Sequence, residues 1–193
     1  WAMCNVGADS PEDYGWYFSW GNVGGYVPSE ISGLNCKWVS AGTGTELVGG
    51  FSVENYSLTP GASLAGDIPA NGTYDAVCAN WNDGGRMPTG TEFEELINRN
   101  NCSWEWVAIG GINGYKVTGK KTGYTDKWIF LPVTGVGGNN YLSYTNAGYY
   151  WSKSVGSSYL KTHLYISQDQ NTPAVLVDSA GSYGHPVRAV KEK

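Results

Sequence analysis

The sequence is poor in charge, in histidine and in long apolar runs. Only 15% of its 193 residues are charged, and the 17 acidic residues outnumber the 12 Lys and Arg, which leaves a net charge of −5. No basic run is longer than Lys120-Lys121. Because an acidic surface repels phosphates, we expect no nucleic acid partner. No apolar stretch reaches the length of a membrane span, so we expect no membrane insertion by this domain.

Metal-binding and redox motifs are also lacking. The four cysteines, Cys4, Cys36, Cys78 and Cys102, contain no C-x-x-C pair, which disfavours a zinc or redox site. Their even number allows two disulfides in an oxidising compartment, and reduced thiols are the alternative. The two histidines are far apart in the sequence. We expect His163 on the exposed face of a strand and His185, which precedes Pro186, in a turn.

The sequence has neither a complete phosphate-binding loop nor the nucleophile motif of α/β hydrolases. No Gly-x-Ser-x-Gly elbow occurs, and this leaves an α/β-type hydrolase without its nucleophile. The stretch Gly114 to Lys120 begins like a phosphate loop, but Lys121 stands where Ser or Thr is required. We therefore expect no enzymatic activity, no cofactor and no metal.

Glycine and large aromatics are abundant instead. There are 28 Gly, 14 Tyr and 9 Trp, a composition typical of turns, short strands and irregular loops. At 193 residues the chain is long enough for one core and short for two, so we expect a single domain over residues 1–193.

Three helices are predicted in the first half of the chain. Ser10-Pro11-Glu12-Asp13 is a helix-start signal, with Gly15 ending the helix after about one turn. Residues 73–81 have helical spacing of apolar side chains. After a turn at 82–85, Thr91 to Glu94 fits a capping box, and that helix ends near Asn100. Its first-turn acids are explained by the helix dipole, without a catalytic role.

Strands are predicted in the second half, where apolar and polar residues alternate. Alternation is found at 102–107, 115–118, 162–166 and 174–178, and further strands are predicted at 128–132, 148–152 and 186–190, with a loop over 135–140. Helices followed by a mostly antiparallel sheet indicate the α+β class. We expect Arg86 and Arg188 to hold buried polar networks. The tryptophans assigned mainly to the core are Trp16, Trp20, Trp104, Trp106, Trp128 and Trp151.

Several segments together resemble a known family. They are WAMCNVGADSPEDYGWYFSWG, SLTPGASLAGDIPANGTYDAVCAN, GGRMPTGTEFEELI, NGYKVTGKKTGYTDKWIFLPVTG, GYYWSKS and YGHPVRAV. Their order resembles the Fibrobacter succinogenes major paralogous domain of Bacteroidetes surface proteins, from Trp1 to Val190. The resemblance implies a C-type lectin-like fold, with two helices packed on a small twisted antiparallel sheet with long loops. That fold is shared with formylglycine-generating enzymes, whose catalytic cysteine pair is not found here.

The last forty residues carry a narrower resemblance. Gly184 to Val190 is similar to the closing signature of variable proteins of diversity-generating retroelements. Variation in such proteins replaces Asn-type codons by Tyr, His, Asp, Ser, Ala, Gly or Leu. His163 and Tyr165 alternate with apolar residues, and Leu176 and Asp178 flank Val177, so these side chains are expected to form a surface patch. The predicted ligand-binding residues are Tyr149, Tyr159, His163, Tyr165, Leu176, Asp178, Ser179, Ala180, Ser182 and Tyr183.

These observations predict a non-enzymatic, monomeric recognition module, with a protein or glycan as its partner. It would act through a face formed by residues 149–185, either diversified or static. A carbohydrate-binding module with Trp or Tyr as stacking platforms is the alternative, and an enzyme related to formylglycine-generating enzymes is a third hypothesis. The chain starts at Trp1 without an initiator Met, so we expect a removed upstream segment and a location on the cell surface or outside the cell.

Overall fold

The computed structural model describes residues 1–31, 37–39, 46–48, 64, 66–138, 141–157, 160–169 and 171–191. Its helices are α1 (Pro28–Ile31), α2 (Ala76–Asn80) and α3 (Gly90–Ile97). Its first strands are β1 (Lys37–Val39), β2 (Glu46–Val48), β3 (Gly85–Arg86), β4 (Cys102–Ile109), β5 (Ile112–Gly119) and β6 (Trp128–Pro132). The remaining strands are β7 (Val136–Gly138), β8 (Tyr141–Ser143), β9 (Ala147–Val155), β10 (Lys161–Ser167), β11 (Ala174–Ser179) and β12 (Val190–Lys191).

The first predicted helix is wrong. Residues 10–13 form a turn, in which the Ser10 amide donates to Asp13 Oδ2 at 3.1 Å and the Asp13 amide donates to the Ser10 carbonyl at 3.2 Å. Ser10 was expected to cap a helix through its own side chain, but here the Asp13 carboxylate bonds back to the Ser10 amide and closes a single turn. Two residues later Gly15 takes a φ of 71°, a left-handed conformation that does not continue a helix.

The second predicted helix is confirmed in a shorter form. α2 begins after Asp75, whose carboxylate accepts hydrogen bonds from the amides of Val77 and Cys78. The same buried carboxylate also accepts from the Met87 amide at 3.0 Å. Asp75 thus both caps α2 and ties it to the segment after β3, which is why the helix starts here and not at Thr73.

The third predicted helix is confirmed, with its capping box two residues earlier than expected. Thr89 accepts a hydrogen bond from the Glu92 amide, and the Glu92 carboxylate accepts one from the Thr89 amide. Glu92 also binds the guanidinium of Arg86 through two contacts of 2.9 Å. Burial alone would raise the pKa of Glu92, but its hydrogen bonds to Arg86 and Thr89 hold that pKa below its ordinary value. Glu92 is architectural, and so is the predicted polar network around Arg86.

Two three-stranded antiparallel sheets, β4-β5-β6 and β11-β10-β9, dominate the second half of the chain. The fold is therefore α+β, as the sequence predicted. Two expected elements differ. The segment at 135–140 was expected to be loop, but β7 lies there, and Asn139 and Asn140 fall outside the described residues. The expected strand at 186–190 is reduced to β12 and an isolated bridge between Asn5 and Arg188, because Pro186 has no amide hydrogen to donate.

The sheet β9-β10-β11 lies between two apolar cores. On one side, Tyr150, Leu164 and Ile166 pack with Phe93 of α3 and with residues of β5 and β6. On the other side, Trp151 packs with Phe18, Trp20 and Val187 and with residues around α2. Adjacent residues of β9, Tyr150 and Trp151, thus point into different cores, as the alternation of a strand requires. Coverage on both sides determines which side chains of this sheet are accessible.

Arg188 holds a buried polar network near the C-terminal end of the chain, as predicted. Its guanidinium is fully buried and donates to Asn5 Oδ1 at 2.8 Å, to the Phe130 carbonyl at 2.8 Å, and to the carbonyls of Ala2 and Met3. Burial lowers the pKa of Arg188 to about 10, so it stays charged at neutral pH. It joins the first residues, β6 and the last residues.

The other structural predictions hold to different degrees. Trp20 and Trp151 are fully buried, whereas Trp16, Trp104 and Trp106 are half-buried against the two cores. Trp128 is half-buried, with Lys116 Nζ 5.3 Å from its ring centre. Cys4, Cys78 and Cys102 carry free thiols, and Cys36 lies outside the described residues.

Candidate functional site

The register of β9, β10 and β11 places the C-terminal candidates in rows across the sheet. Tyr149, Tyr165 and Val175 lie opposite one another in one row, and Trp151, His163 and Val177 form the next. Directly opposed residues of an antiparallel pair point to the same side. Both rows therefore project from one face of the sheet, the face that turns away from α3.

Five side chains make the accessible part of this face, which we call the tyrosine face: Tyr144, Tyr149, Tyr165, Val175 and Val177. Tyr149 and Tyr165 are half-buried and their rings meet edge to face at 5.3 Å. Val175 and Val177 are exposed, and Tyr144 is 68% exposed. Burial and the neighbouring hydroxyls of Tyr165 and Tyr144 raise the pKa of Tyr149 to about 12, so its hydroxyl is protonated at neutral pH.

Tyr144 occupies the turn before β9 with a φ of 52°. Positive φ is rare for a bulky residue and costs about 1–3 kcal/mol. The strained backbone holds a large, exposed ring, and its hydroxyl lies close enough to Tyr149 to raise the pKa of that residue. Such local strain is more often found at binding sites than elsewhere.

The expected orientation of β11 is reversed. Leu176 pairs with Leu164 on the opposite face and packs half-buried against the core beside α3. Asp178 is on that same face, where it accepts hydrogen bonds from Thr162 Oγ1 at 2.8 Å and from the Ser157 amide at 2.9 Å. The residue expected to build the sheet, Val177, is the one that faces outward. Leu176 and Asp178 are thus separated from Tyr165 by the thickness of the sheet.

His163 was expected to be exposed, and this is wrong. It is buried at the centre of the sheet, with Tyr149 and Trp151 at ring distances of 5.8 and 5.6 Å. His185 was expected in a turn, but it too is buried, stacked on Trp151 at 4.0 Å and 4.7 Å from His163. The cause is the second core, which covers this face of β9 and β10 as far as His163.

Both imidazoles are neutral at physiological pH. Burial lowers the pKa of His163 to about 4, against an opposing effect of the Asp178 carboxylate. Burial and the proximity of His163 place the pKa of His185 well below its ordinary value. His163 Nδ1 lies 3.3 Å from Ser179 Oγ, and His185 Nδ1 has no hydrogen-bond partner in the part of the chain that the structure describes. Neutral, enclosed rings serve as packing here.

The remaining predicted residues scatter around the end of β11. Ala180 is buried, and Tyr183 is half-buried with its ring 6.3 Å from that of His185. The hydroxyl of Ser182 is buried without a hydrogen-bond partner among the described residues. Tyr159 lies outside the described residues. Of the ten predicted residues, Tyr149 and Tyr165 are those brought together on the tyrosine face.

Sequence reasoning missed three residues of the tyrosine face: Tyr144, Val175 and Val177. Tyr144 carried a usable signal, because it lies in the connection between the strands predicted at 128–132 and 148–152, where an aromatic residue has no strand face to join. Val175 and Val177 carried none, since alternation fixes which residues share a face but not which face is covered.

A separate groove lies between α3 and the sheet β4-β5-β6. It encloses about 730 Å³. Residues that line it include three side chains of the core floor, three aromatic side chains at the mouth and four charged ones. They are Leu96, Val117 and Ile129; Trp1, Tyr124 and Trp128; and Glu95, Lys121, Asp126 and Lys127. None of the predicted site residues that the structure describes lines this groove.

Comparisons of the chain with protein-family models, with curated proteins and with solved structures return no match. Across the described ranges, no group of three or more His, Cys, Asp or Glu side chains is arranged to hold a metal ion. Within the same residues, every helix is too short or too polar to cross a membrane.

Proposed function

We propose that this chain is a non-enzymatic recognition module of a bacterial surface or secreted protein, and that it binds a protein partner through the tyrosine face. The observation that carries the proposal is the row Tyr149–Tyr165–Val175 with Tyr144 beside it, an accessible aromatic and aliphatic patch without a charged side chain among its members. Tyr offers a large contact area at low conformational cost, and it is enriched at the centres of protein interfaces.

The fold assigned to this module is the C-type lectin-like fold, and the assignment is part of the same proposal. It is supported by the ordered motifs from Trp1 to Val190 and by the small antiparallel sheets with one eight-residue helix, α3, packed against them. The irregular segments 1–27 and 120–127 agree with it. The cell-surface location and the monomeric state are proposed on the same resemblance.

The absence of catalysis is supported by the geometry around His163. Ser179, His163 and Asp178 are neighbours, but they do not form a nucleophile relay. Ser179 Oγ approaches Nδ1 of the ring, the position that an orienting carboxylate occupies in such relays. The Asp178 carboxylate bonds to Thr162 and Ser157 instead. With its pKa lowered to about 4 by burial, His163 is also a weak base at neutral pH.

The proposed partner class is tested by binding screens with matched tyrosine variants. The purified chain is screened against arrays of proteins and of glycans, and each ligand found is titrated with the wild type, Tyr165→Ser and Tyr144→Ser. Loss of these rings should weaken a protein ligand by tenfold or more, about 1.4 kcal/mol each. Tyr124→Ser removes a tyrosine that is similarly accessible but lies at the groove, so it should leave the affinity unchanged.

Two results would overturn the proposal. One is a protein ligand that binds all folded variants equally. The other is a set of glycan ligands with no protein ligand, which would favour the carbohydrate-binding alternative. Circular dichroism of each variant establishes that it is folded before its affinity is compared.

Diversification of the face is a second, separable part of the proposal. If the region varies in the native bacterial population, sequencing of the 3′ end of the gene should find substitutions at Tyr149 and Tyr165. His163 and Ala180 should stay fixed, because a smaller side chain would leave a cavity at the buried position of His163 and a larger one would overpack that of Ala180. A uniform stretch over residues 149–185 would leave a static binding face.

A further inference from the structure

We propose that the groove between α3 and β4-β5-β6 is a second, independent binding site, for an amphiphilic small molecule with an apolar body and an anionic head group. The site is distinct from the tyrosine face in position and in chemistry. It does not depend on the function proposed above.

Exposed apolar side chains identify the groove as a site. Six large hydrophobic residues are exposed among those that the structure describes. Tyr144, Val175 and Val177 belong to the tyrosine face, and the other three, Trp1, Met3 and Tyr124, all line the groove. Exposed apolar side chains that cluster in a concave surface are typical of ligand-binding sites, whereas isolated ones are common on any protein surface.

The interior of the groove is apolar and formed in advance. Its floor consists of Leu96 from α3, Val117 from β5 and Ile129 from β6, three members of the core packed around Phe93. Trp1 is fixed above this core by stacking on Phe93, with ring centres 5.2 Å apart. A volume near 730 Å³ is in the usual range for small-molecule pockets, roughly 300–1,000 Å³. An alkyl chain or an aromatic ring system fits this lining.

On the side of the turn between β5 and β6, the charges at the mouth favour an anion. Lys121 and Lys127 line the groove on the side of the turn between β5 and β6. Lys127 Nζ is paired with Asp126 at 2.7 Å, whereas Lys121 has no ion pair with any residue that the structure describes. Burial raises the pKa of the Cys102 thiol in the lining, and the ammonium groups of Lys120 and Lys121 act against this rise. In a chain of net charge −5, this turn is a local concentration of positive charge.

The polar residue on the other side of the groove is Glu95, in α3. It disfavours an anionic group at the helix side and so orients the ligand. The anionic head group is expected at Lys121, with the apolar body extending over Val117 and Ile129 towards Trp1.

The test uses decanoate as the probe, with decyltrimethylammonium and decanol as matched cationic and neutral probes, all below the concentrations at which they form micelles. Binding is followed by tryptophan fluorescence and by chemical-shift changes of groove residues in NMR spectra. Decanoate should bind at the groove at least tenfold more tightly than decyltrimethylammonium. Lys121→Glu should weaken the binding of decanoate by about tenfold, the effect of one lost charge-assisted contact. The affinity for decanol should stay unchanged.

Two further variants complete the design. Trp1→Ala and Tyr124→Ala truncate exposed side chains at the mouth. Each variant is shown to be folded by circular dichroism, and each should weaken the binding of decanoate and of decanol alike. Lys191→Glu makes the same charge change at an exposed lysine outside the groove and should have no effect. Sedimentation velocity measures the oligomeric state in parallel.

Three outcomes would overturn the proposal. The first is no perturbation of groove residues by decanoate, and the second is equal binding of the anionic and cationic probes. The third is a dimer in which the groove is closed by a second copy of the chain. None of these bears on Tyr165→Ser or the protein screen, so failure here is distinguishable from failure of the proposed function.

Discussion

At the scale of single residues, buried polar side chains connect segments that are far apart in the sequence. Arg188 donates to Asn5, Phe130, Ala2 and Met3 and thereby joins three distant segments. Its planar guanidinium can satisfy several acceptors at once, which a lysine ammonium cannot do in the same geometry. The sequence indicated that Arg188 would be buried and paired, but its partners could not be named because they are mainly backbone carbonyls.

Arg188→Met is expected to lower the free energy of unfolding by about 3 kcal/mol or more, because buried acceptors lose their donor. Arg188→Lys should recover only part of this loss. Urea denaturation at neutral pH measures both. Lys191→Met, at an exposed position, is the control and should change stability by less than about 0.5 kcal/mol. A wild-type unfolding midpoint for Arg188→Met would contradict the assigned role.

His163 makes stability depend on pH. Its pKa is about 4 in the folded protein and 6.5 as the ordinary value, so the unfolded chain takes up a proton first as the pH falls. The contribution of the neutral His163 to stability is fully present above pH 6.5, and it is lost as the pH falls from 6.5 to 4. From pH 7 to pH 5 the loss from His163 is about 2 kcal/mol, and His185 changes stability in the same direction.

Urea denaturation at pH 7 and pH 5 tests this dependence. The wild type should lose at least about 2 kcal/mol between the two values, and His163→Gln, which cannot take up a proton, should lose about 2 kcal/mol less than the wild type. Asp178, whose carboxylate acts on His163 from the other face of the sheet, has its pKa lowered by its hydrogen bonds to Ser157 and Thr162 in spite of burial, so its own effect appears only at lower pH. Equal losses in both proteins would refute the account.

At the scale of elements, strand positions were predictable and their faces were not. β4, β5, β10 and β11 lie where apolar and polar residues alternate, and β6 and β9 lie in predicted strands rich in apolar and aromatic residues. For β11 the alternation admits two orientations, and the sequence favoured the wrong one. The register, with Leu176 opposite Leu164, turns Leu176 inward because α3 covers that side of the sheet.

A pair of substitutions in β11 tests the orientation. Leu176→Thr should destabilise the protein by about 1–2 kcal/mol, because a side chain packed against the core is lost. Val177→Thr replaces an exposed side chain by one of the same shape and strand preference, and should stay within about 0.5 kcal/mol. Chemical denaturation compares the two, and the opposite ranking would mean that the strand is inverted.

At the scale of the whole molecule, β9 is the element that the two cores share. Tyr150 enters the core beside α3, and Trp151 enters the core formed with Phe18 and Trp20. The two cores are therefore expected to unfold together as one domain, in agreement with the single domain predicted for 1–193.

One substitution in each core tests this cooperativity. Leu164→Ala, in the core beside α3, should lower the free energy of unfolding by about 2–5 kcal/mol. Val187→Ala, in the other core, should lower it by less, because a smaller buried side chain is truncated. Each should shift one single transition, seen alike by near-ultraviolet circular dichroism and by tryptophan fluorescence. Two separate transitions in either variant would show that the cores unfold as independent units.

The sequence by itself determined the α+β class, the positions of α2, α3 and the main strands, and the structural role of Glu92 and the two arginines. These features depend on local periodicity, turn-forming residues and helix caps, all of which are set by residues close together in the sequence. Only the tertiary structure decided that His163 and His185 are enclosed, that Leu176 faces inward, and that Tyr144, Val175 and Val177 remain accessible. Burial depends on which segments cover a face of the sheet, and the covering segments are distant in the sequence. Phe93 of α3, which covers the side of Leu176, precedes it by 83 positions, and Phe18, in the core that encloses Trp151, precedes Trp151 by 133.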